Sequence, residues 1–298
     1  MTTAEPTLQA TGRVARRQQL SRSSRYLLLG ATSFGIGVLV VLAWDVLQRG
    51  LPALDWEFLN SYPSRFADRA GLRSSILGSA WMVLFTVVLA IPLAVGTAIW
   101  MEEFAPRGRL LALVQLNIAN LAGVPSIIYG ILGLAVFVRF FDMGFTIGAG
   151  ALTLTLMILP MTVIASSEAI RQVPSSTRDA SLALGATRWQ TVWHHVLPGA
   201  LPGIMTGMIL AVSRAAGETA ALIMIGAASF IAFDNTGLPH DVWGQQFTTV
   251  PIQVYNWTQR PQEEFRALAA AAIIVMMVAI VGLNLIAVLI RERFRRYD

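Results

Sequence analysis

A basic and an acidic residue, Arg214 and Glu218, interrupt a long apolar stretch of the sequence. A charged side chain at the centre of a membrane helix costs about 2.5 to 3.5 kcal/mol on insertion scales, so such residues usually pair or line a polar cavity. A spacing of four positions puts both on one face of a helix, where they can form an ion pair. Two apolar residues would avoid the desolvation cost altogether, so stability alone does not explain the pair. A functional role is therefore the favoured interpretation.

The chemistry that this pair suits is the passage of an anion. The guanidinium of Arg214 presents a planar fork of donors that matches the oxygens of phosphate or carboxylate. Glu218 can hold Arg214 while the site is empty, and it can keep anion binding weak enough for release. Nearby, Ser213 and Thr219 add hydroxyl groups, and Gly217 permits close approach of another helix or of the solute.

The composition predicts an all-α, polytopic membrane protein. Of the 298 residues, 55% are hydrophobic and only 13% are charged, which is too apolar for a soluble domain of this size. A hydrocarbon core of about 30 Å needs about 20 apolar residues per helix. Six stretches meet this requirement, and we expect them to form spans near Tyr26 to Gln48, Leu72 to Trp100, Leu110 to Phe140, Phe145 to Ser167, Ala200 to Ile231 and Ala267 to Ile290.

The distribution of arginine predicts the orientation of these spans, since the sequence contains no lysine. With six spans, fourteen arginines lie on the side of the two termini and seven on the opposite side, so the positive-inside rule puts both termini in the cytoplasm. We expect cytoplasmic tails over 1–25 and 292–298 and a transmembrane domain over 26–291. Within it, a coupling loop over 168–199 faces the cytoplasm, and an outer loop over 232–266 faces the other side.

Several classes of chemistry are excluded by composition. A standard P-loop needs a lysine to reach the nucleotide phosphates, so ATP-driven work has to come from a partner subunit. The absence of cysteine excludes disulfides, thiolate metal sites and thiol nucleophiles. The histidines His194, His195 and His240 form no metal-ligand pattern, so we expect no metal site and no catalytic residue. The net charge of +5 is explained by membrane topology rather than by nucleic acid.

The coupling loop contains signals for two short helices. Ser176 with Asp179, and Thr187 with Gln190, have the spacing of capping boxes, in which each side chain satisfies a free N–H at the start of a helix. Gly185 lies between them, where the first helix has to end and the chain has to turn. The sequence therefore predicts a helical elbow in this loop.

Small residues of the elbow suit close contact with another protein. Asp179-Ala180-Ser181, followed by Gly185 and then by Leu197-Pro198, resembles the EAA loop of ABC-importer permeases, which docks into a groove on the ATPase. The pattern departs from that family at Asp179, where glutamate is usual, and at His195, where an aliphatic residue is usual. The resemblance implies contact with an ATPase through Asp179, Ala180, Ser181, Gly185, Leu197 and Pro198.

The third predicted span is interrupted by Gly123-Val-Pro125-Ser126. Proline removes a backbone hydrogen bond and usually kinks a helix, so we expect a kink near Val124. Backbone groups freed at membrane depth are tolerated only inside protein or beside a water-filled cavity, which makes Asn120, Ser126 and Tyr129 candidates for the translocation path. The favoured alternative is a structural kink whose polar side chains join helices.

Aromatic residues and prolines are frequent in the outer loop, which predicts a lid at the level of the lipid headgroups. Such a lid would either anchor the protein or dock an extracytoplasmic binding protein. The residues on which this prediction rests are Trp243, Phe247, Tyr255 and Trp257, with Pro239, Pro251 and Pro261.

The segment from Arg214 to Ala220 resembles the intramembrane signature of PstA-type permease subunits of phosphate ABC transporters. The segments from Gly123 to Gly130 and from Tyr255 to Phe265 are similar to the same family, and the likeness runs from about Leu72 to the C-terminus. Ala221 departs from it, because many relatives have proline there. The resemblance implies a MetI-like ABC-importer permease fold, a bacterial inner membrane location, and phosphate passage past Arg214 and Glu218.

The partners implied by this resemblance are a homologous PstC-type permease, a PstB-type ATPase dimer that uses ATP and Mg²⁺, and a PstS-type phosphate-binding protein. This chain itself would bind no cofactor. The alternatives left open are a permease for another oxyanion or polar solute, and a membrane sensor or scaffold for phosphate signalling. A membrane enzyme is the weakest alternative, because no nucleophile has a plausible base beside it.

Overall fold

The computed structural model describes residues 13–227 and 231–295, with side chains over 24–227 and 231–293, and these parts are almost entirely helical. The α-helices are α1 (Arg13–Gly50), α2 (Trp56–Asn60), α3 (Arg73–Ile99), α4 (Arg109–Ala122), α5 (Ser126–Gly133), α6 (Ile147–Arg171), α7 (Ser175–Ala183), α8 (Arg188–Thr191), α9 (Leu197–Ala216), α10 (Ala220–Ile225), α11 (Pro239–Trp243), α12 (Val250–Thr258) and α13 (Glu263–Arg295). Short π-helical turns extend α3 to Phe104 and α5 to Phe140, and another over Val192–Val196 joins α8 to α9.

Among the described residues, five helical segments are long and apolar enough to cross a membrane. A sixth candidate is the pair α4 and α5, which is bent by 101° at its break. The all-α polytopic class is therefore confirmed, and the predicted six spans are reached when the bent pair counts as one. The five unbroken segments are Ser24–Ala53, Arg73–Phe104, Ile147–Arg171, Arg188–Ala216 and Glu263–Arg293.

The chain divides into two compact units, residues 1–48 and residues 49–298. The first consists, where it is described, of most of α1, whose apolar side chains suit a lipid environment. In the second, α6 is the central helix and packs against both α3 and α9. Small residues allow this close packing, since Gly203 and Gly207 of α9 face Ala169 and Ala165 of α6.

The fifth predicted span is not one continuous helix, which corrects the prediction of a span from Ala200 to Ile231. Helix α9 ends at Ala216, and α10 begins only at Ala220. Glu218 lies in the break, where its carboxylate accepts a hydrogen bond of 3.2 Å from the N–H of Ala221 in the first turn of α10. Glycine at position 217 weakens a helix, and the carboxylate satisfies one of the free N–H groups of the new helix.

The outer loop folds back into the second unit, and two aromatic residues of the predicted lid are buried inside the protein instead of facing lipid headgroups. Phe247 and Trp257 are both 0% exposed. The chain between them passes close to α3, where the N–H of Val250 donates to Ser79 Oγ at 2.9 Å. Gly78 of α3 makes this approach possible, because a side chain there would collide with a backbone carbonyl of the loop.

Candidate translocation and coupling sites

Arg214 and Glu218 do not form the predicted ion pair. Arg214 is exposed near the end of α9, and its Nη1 lies 3.0 Å from the Sδ of Met161 on α6. Because α9 ends at Ala216, Glu218 leaves the helix and does not share a helical face with Arg214. Within the described part of the chain, neither group takes part in an ion pair. The guanidinium is therefore open to a ligand or to a partner subunit.

The residues next to Arg214 and Glu218 in the sequence make different contacts from one another. Ser213 Oγ lies 2.8 Å from the carbonyl oxygen of Ile209 and also contacts the amide oxygen of Asn284 on α13, so it joins α9 to α13. Thr219 Oγ1 makes only a long contact of 3.5 Å, with the carbonyl oxygen of Gly217. The positions of Ser213, Gly217 and Thr219 beside the break fit the predicted path, and their role in it stays a prediction.

A small cavity of about 10 Å³ adjoins Glu218. Its lining is mostly apolar, and its polar members are Glu218, Ser79 of α3 and Thr249 of the outer loop. Thr249 is buried, and its Oγ1 has no hydrogen-bond partner in the described chain. A cavity of this size can hold one water at most. No signal in the sequence indicated that the outer loop would reach the carboxylate.

The break in the third span confirms the kink expected near Val124. Tyr129 is buried, and its hydroxyl donates to the carbonyl oxygen of Leu121 at 2.8 Å. In an unbroken helix, that carbonyl would accept from residue 125, but Pro125 has no N–H. The N–H of Val124 donates to this carbonyl at 3.1 Å, and Tyr129 adds a second donor at the break, in line with the structural alternative for this residue.

The two broken spans adjoin each other. A Cβ built on Gly130 would lie 2.6 Å from the carbonyl oxygen of Ala221, so only glycine allows this approach of α5 to α10. Asn120 is exposed and Ser126 is half-buried near the first break. Their assignment to the translocation path stays a prediction.

The elbow in the coupling loop has the predicted turn and one of the two predicted capping boxes. Gly185 has a φ of +85°, and the Thr187–Gln190 box is formed, with Thr187 N–H donating to Gln190 Oε1 at 2.8 Å and Gln190 N–H donating to Thr187 Oγ1 at 3.3 Å. The prediction of a capping box at Ser176 and Asp179 is wrong. Helix α7 begins at Ser175 after Pro174, so Ser176 already lies inside the helix and cannot cap it.

The residues assigned to ATPase contact do not all lie on the surface. Ser181 is buried, and its Oγ lies 2.9 Å from Thr191 Oγ1, which holds α7 to α8. Leu197 packs against the core cluster between α6 and α9. Asp179, Ala180, Gly185 and Pro198 are exposed, and so are the apolar side chains of Leu182, Leu184 and Trp189.

Beside the elbow lies a cleft of about 480 Å³, bounded by α6, α7 and the start of α9. His194 and His195 line it together with Gln172 and Thr177. In the described residues, no group of three or more histidine or acidic side chains could hold a metal ion. The two histidines are exposed, as their predicted solvated or partner-facing position requires.

Two ion pairs that sequence reasoning missed join the coupling loop to the end of α3. Arg171 binds Glu102 through both ends of its fork, with Nε to Oε2 at 2.9 Å and Nη2 to Oε1 at 2.8 Å. Arg178 of α7 binds Glu103 Oε1 through Nε at 3.0 Å and Nη2 at 2.7 Å. The signal for them was present, because an acidic pair ends one span and the arginines lie in a loop on the same predicted side.

A third missed ion pair lies at the other end of α3. Arg73 binds Asp234 of the outer loop, with Nε at 2.9 and 3.0 Å from the two carboxylate oxygens and Nη2 at 2.6 Å from Oδ2. In the sequence, Arg73 was only one of the seven arginines predicted on the side opposite the termini. Its partner is 161 positions away, which no local pattern indicates.

Comparisons with known proteins agree with this architecture. Residues 61–296 match the family described as "Binding-protein-dependent transport system inner membrane component". The chain is 32% identical to the "Probable ABC transporter permease protein YqgI" of Bacillus subtilis strain 168, over 74% of this chain and 73% of that protein. It is 28% identical to the "Phosphate transport system permease protein PstA" of Xylella fastidiosa strain Temecula1, over 93% of this chain and 95% of that protein.

Solved structures give the same fold. A chain of a bacterial alginate ABC transporter, solved with an alginate pentasaccharide-bound periplasmic protein, superposes with a TM-score of 0.65 at 13% identity, over 93% of this chain and 96% of that one. A chain of the inward-facing MetNI methionine ABC transporter superposes with a TM-score of 0.62 at 15% identity, over 74% of this chain and 94% of that one. The predicted ABC-importer permease fold is confirmed, and the chain belongs to the family of inner membrane components of binding-protein-dependent transport systems.

Proposed function

We propose that this chain is a permease subunit of an ATP-driven importer of inorganic phosphate. The observation that carries the proposal is the exposed guanidinium of Arg214, which lies beside a break in a membrane span and has no carboxylate partner in the described chain. The similarity to a phosphate permease over 93% of this chain supports the same cargo. Glu218, four positions further along the chain, adds a negative charge to this region, which weakens anion binding and so favours release.

The assembly that this function needs contains further subunits. Membership in the family implies a partner ATPase and a substrate-binding protein. We assign these roles to a PstB-type ATPase dimer, which uses ATP and Mg²⁺, and to a PstS-type phosphate-binding protein. A PstC-type permease supplies the other half of the path, opposite the broken spans. Both termini and the coupling loop face the cytoplasm of a bacterial cell, with tails over 1–25 and 292–298, a transmembrane domain over 26–291 and the outer loop over 232–266.

The exposed part of the elbow carries the contact with the ATPase. Asp179, Ala180 and Gly185 lie beside the apolar side chains of Leu182 and Leu184, the latter 90% exposed. An apolar patch with small residues around it suits insertion into a groove of a partner protein. Movement of the ATPases would displace the elbow, and the continuous helix from Arg188 to Ala216 would carry that displacement to Arg214.

Phosphate uptake by the complete complex in proteoliposomes tests the cargo and the role of Arg214. Hydrogen bonds to charged groups contribute about 1.5 to 3 kcal/mol, so Arg214→Ala is expected to lower uptake roughly 10- to 150-fold. Arg214→Lys keeps the charge without the planar fork, so its phosphate uptake should lie between that of the parental complex and that of Arg214→Ala. The matched control is Arg139→Ala, an exposed arginine at the end of another span.

Parental uptake by an assembled Arg214→Ala complex would contradict the role of the guanidinium. Competition with sulfate, molybdate and phosphonate tests the cargo separately. If one of these anions displaces phosphate at equal concentration, the permease serves a wider class of oxyanions. Normal phosphate signalling in cells with abolished uptake would indicate a sensor or scaffold instead.

A further inference from the structure

Helix α3 and its π-helical extension form one apolar membrane segment from Arg73 to Phe104. At about 1.5 Å per residue, this segment is roughly 48 Å long, enough to reach both surfaces of a membrane. It packs along α6 through most of its length. Side chains at its two ends are bonded to two different loops, the coupling loop and the outer loop.

At the coupling-loop end, Arg178 of α7 connects three elements. Its Nε and Nη2 donate to Glu103 Oε1 of α3, while its Nη1 and Nη2 donate to the carbonyl oxygens of Val173 and Ile170, at 2.6 and 2.9 Å, at the end of α6. The side chains of Arg178 and Glu103 are 22% and 12% exposed. Exposed ion pairs contribute little, but a mostly buried guanidinium that makes four hydrogen bonds holds its partners in a fixed geometry.

The neighbouring pair reinforces this attachment. Arg171, the last residue of α6, binds Glu102 through two hydrogen bonds and also contacts Glu168 at 3.1 Å. Consecutive acidic residues of α3 are therefore held by arginines on both sides of Pro174. A displacement of α7 cannot occur without moving the end of α3 or breaking these bonds.

At the opposite end, three side chains of α3 hold the first stretch of the outer loop, around Asp234. Arg73 binds Asp234 with its fork, and Ser74 Oγ donates to the carbonyl oxygen of Ile231 at 2.9 Å. Trp81 Nε1 donates to the carbonyl oxygen of Asn235, also at 2.9 Å. The same stretch of the outer loop is thus fixed to the first turns of α3.

We propose that α3 transmits displacement between the coupling loop and the outer loop, with Glu103–Arg178 and Arg73–Asp234 as its two attachments. The proposal rests on the proposed function, because an ATPase has to move the elbow. Transmission needs a stiff element whose ends do not slip, and a helix held at both ends by ion pairs meets that need. Coupling between two sites is reciprocal, so binding at the outer loop also biases the position of α7. Arg73, Glu103, Arg178 and Asp234 are then positioning residues that do not contact the cargo.

The outer loop's response to nucleotide tests this transmission directly. The chain contains no natural cysteine, so spin labels can be placed on Leu238→Cys in the outer loop and Phe141→Cys at the end of the broken span, both exposed. In the complete complex with cysteine-free partners, ATP with vanadate is expected to shift the distance between the labels. Arg178→Gln and Asp234→Asn should each abolish the shift while nucleotide binding stays within about twofold of parental. The matched control is Asp68→Asn, whose ion pair with Arg69 is exposed and 3.7 Å long.

Uptake per ATP hydrolysed gives the second readout. Arg178→Gln is expected to lower this ratio at least tenfold. At the other end of α3, Arg73→Asp alone and Asp234→Arg alone should each lower the ratio. The double variant, which exchanges the two charges, should recover most of the parental ratio. In the double variant Glu103→Cys with Arg178→Cys, a short bis-methanethiosulfonate reagent can join the two cysteines. Uptake per ATP hydrolysed should be higher with this cross-link than without it. This comparison within one assembled variant separates transmission from folding.

A shift of parental size in both Arg178→Gln and Asp234→Asn would overturn the proposal, and so would a parental complex that shows no shift. A cross-link that leaves coupling unchanged would also overturn it. Failure of the proposed cargo has a different signature. In that case, Arg214→Ala leaves phosphate uptake unchanged while the nucleotide-driven shift still depends on Arg178.

Discussion

The charged groups at the coupling-loop end of α3 and those at the break between α9 and α10 are arranged in opposite ways. Glu103 and Arg178 are mostly buried and bonded to each other, and Arg178 also donates to two backbone carbonyls. Arg214 is exposed, and it is joined to no carboxylate in the described chain. The charges that hold parts of the permease together are paired within the chain, whereas the charge that we propose for anion passage is left open. Stability and transport should therefore respond to different substitutions.

The largest effect on stability is expected for Glu103→Gln. Removing one partner of a buried ion pair costs about 3 kcal/mol or more, which lowers the midpoint of thermal unfolding by roughly 6 to 12 °C in a chain of this size. Thermal unfolding of the purified subunit in detergent measures the change. Asp68→Asn is the control, and it should shift the midpoint by no more than about 2 °C, because its pair is exposed. Equal shifts in the two variants would remove the distinction between buried and exposed pairs.

An intermediate effect is expected for Tyr129→Phe, which tests a neutral bond at a break in a span. The substitution leaves the Leu121 carbonyl without its side-chain donor, and such a bond contributes about 0.5 to 1.5 kcal/mol. The midpoint of unfolding should fall by roughly 1 to 6 °C. Tyr26→Phe, at an exposed tyrosine, is the control and should leave the midpoint unchanged. Phosphate uptake at a temperature where both variants are folded should differ little from parental, and a large loss would instead assign Tyr129 to the translocation path.

The smallest effect on stability is expected for Arg214→Ala, the substitution with a large expected effect on uptake. The guanidinium makes no ion pair in the described chain, so its removal should change the free energy of unfolding by less than about 0.5 kcal/mol. The midpoint in detergent should therefore stay within about 2 °C of parental. A fall as large as that of Glu103→Gln would show that Arg214 is a structural residue, and the comparison between the two regions would fail.

The sequence by itself determined the features that depend on a few neighbouring residues. The apolar stretches predicted the helical, polytopic class, and Pro125 predicted the kink that the 101° bend shows. Gly185 and the Thr187–Gln190 capping box were also readable, because a turn and a cap form between residues within about one helical turn of each other. The motif from Arg214 to Ala220 indicated the right family for the same reason, since it is a short contiguous pattern.

Only the tertiary structure decided which distant groups meet. Arg178 lies 75 positions from Glu103, and nothing local distinguishes it from the other arginines of the coupling loop. The break after Ala216 separates Arg214 from Glu218 although their spacing suits a pair, because the Glu218 carboxylate caps α10 instead. Phe247 and Trp257 are of the residue types that favour the level of the lipid headgroups, but both are buried, because the outer loop packs into the second unit. Such choices follow from the summed packing of many distant residues, which no single stretch of sequence contains.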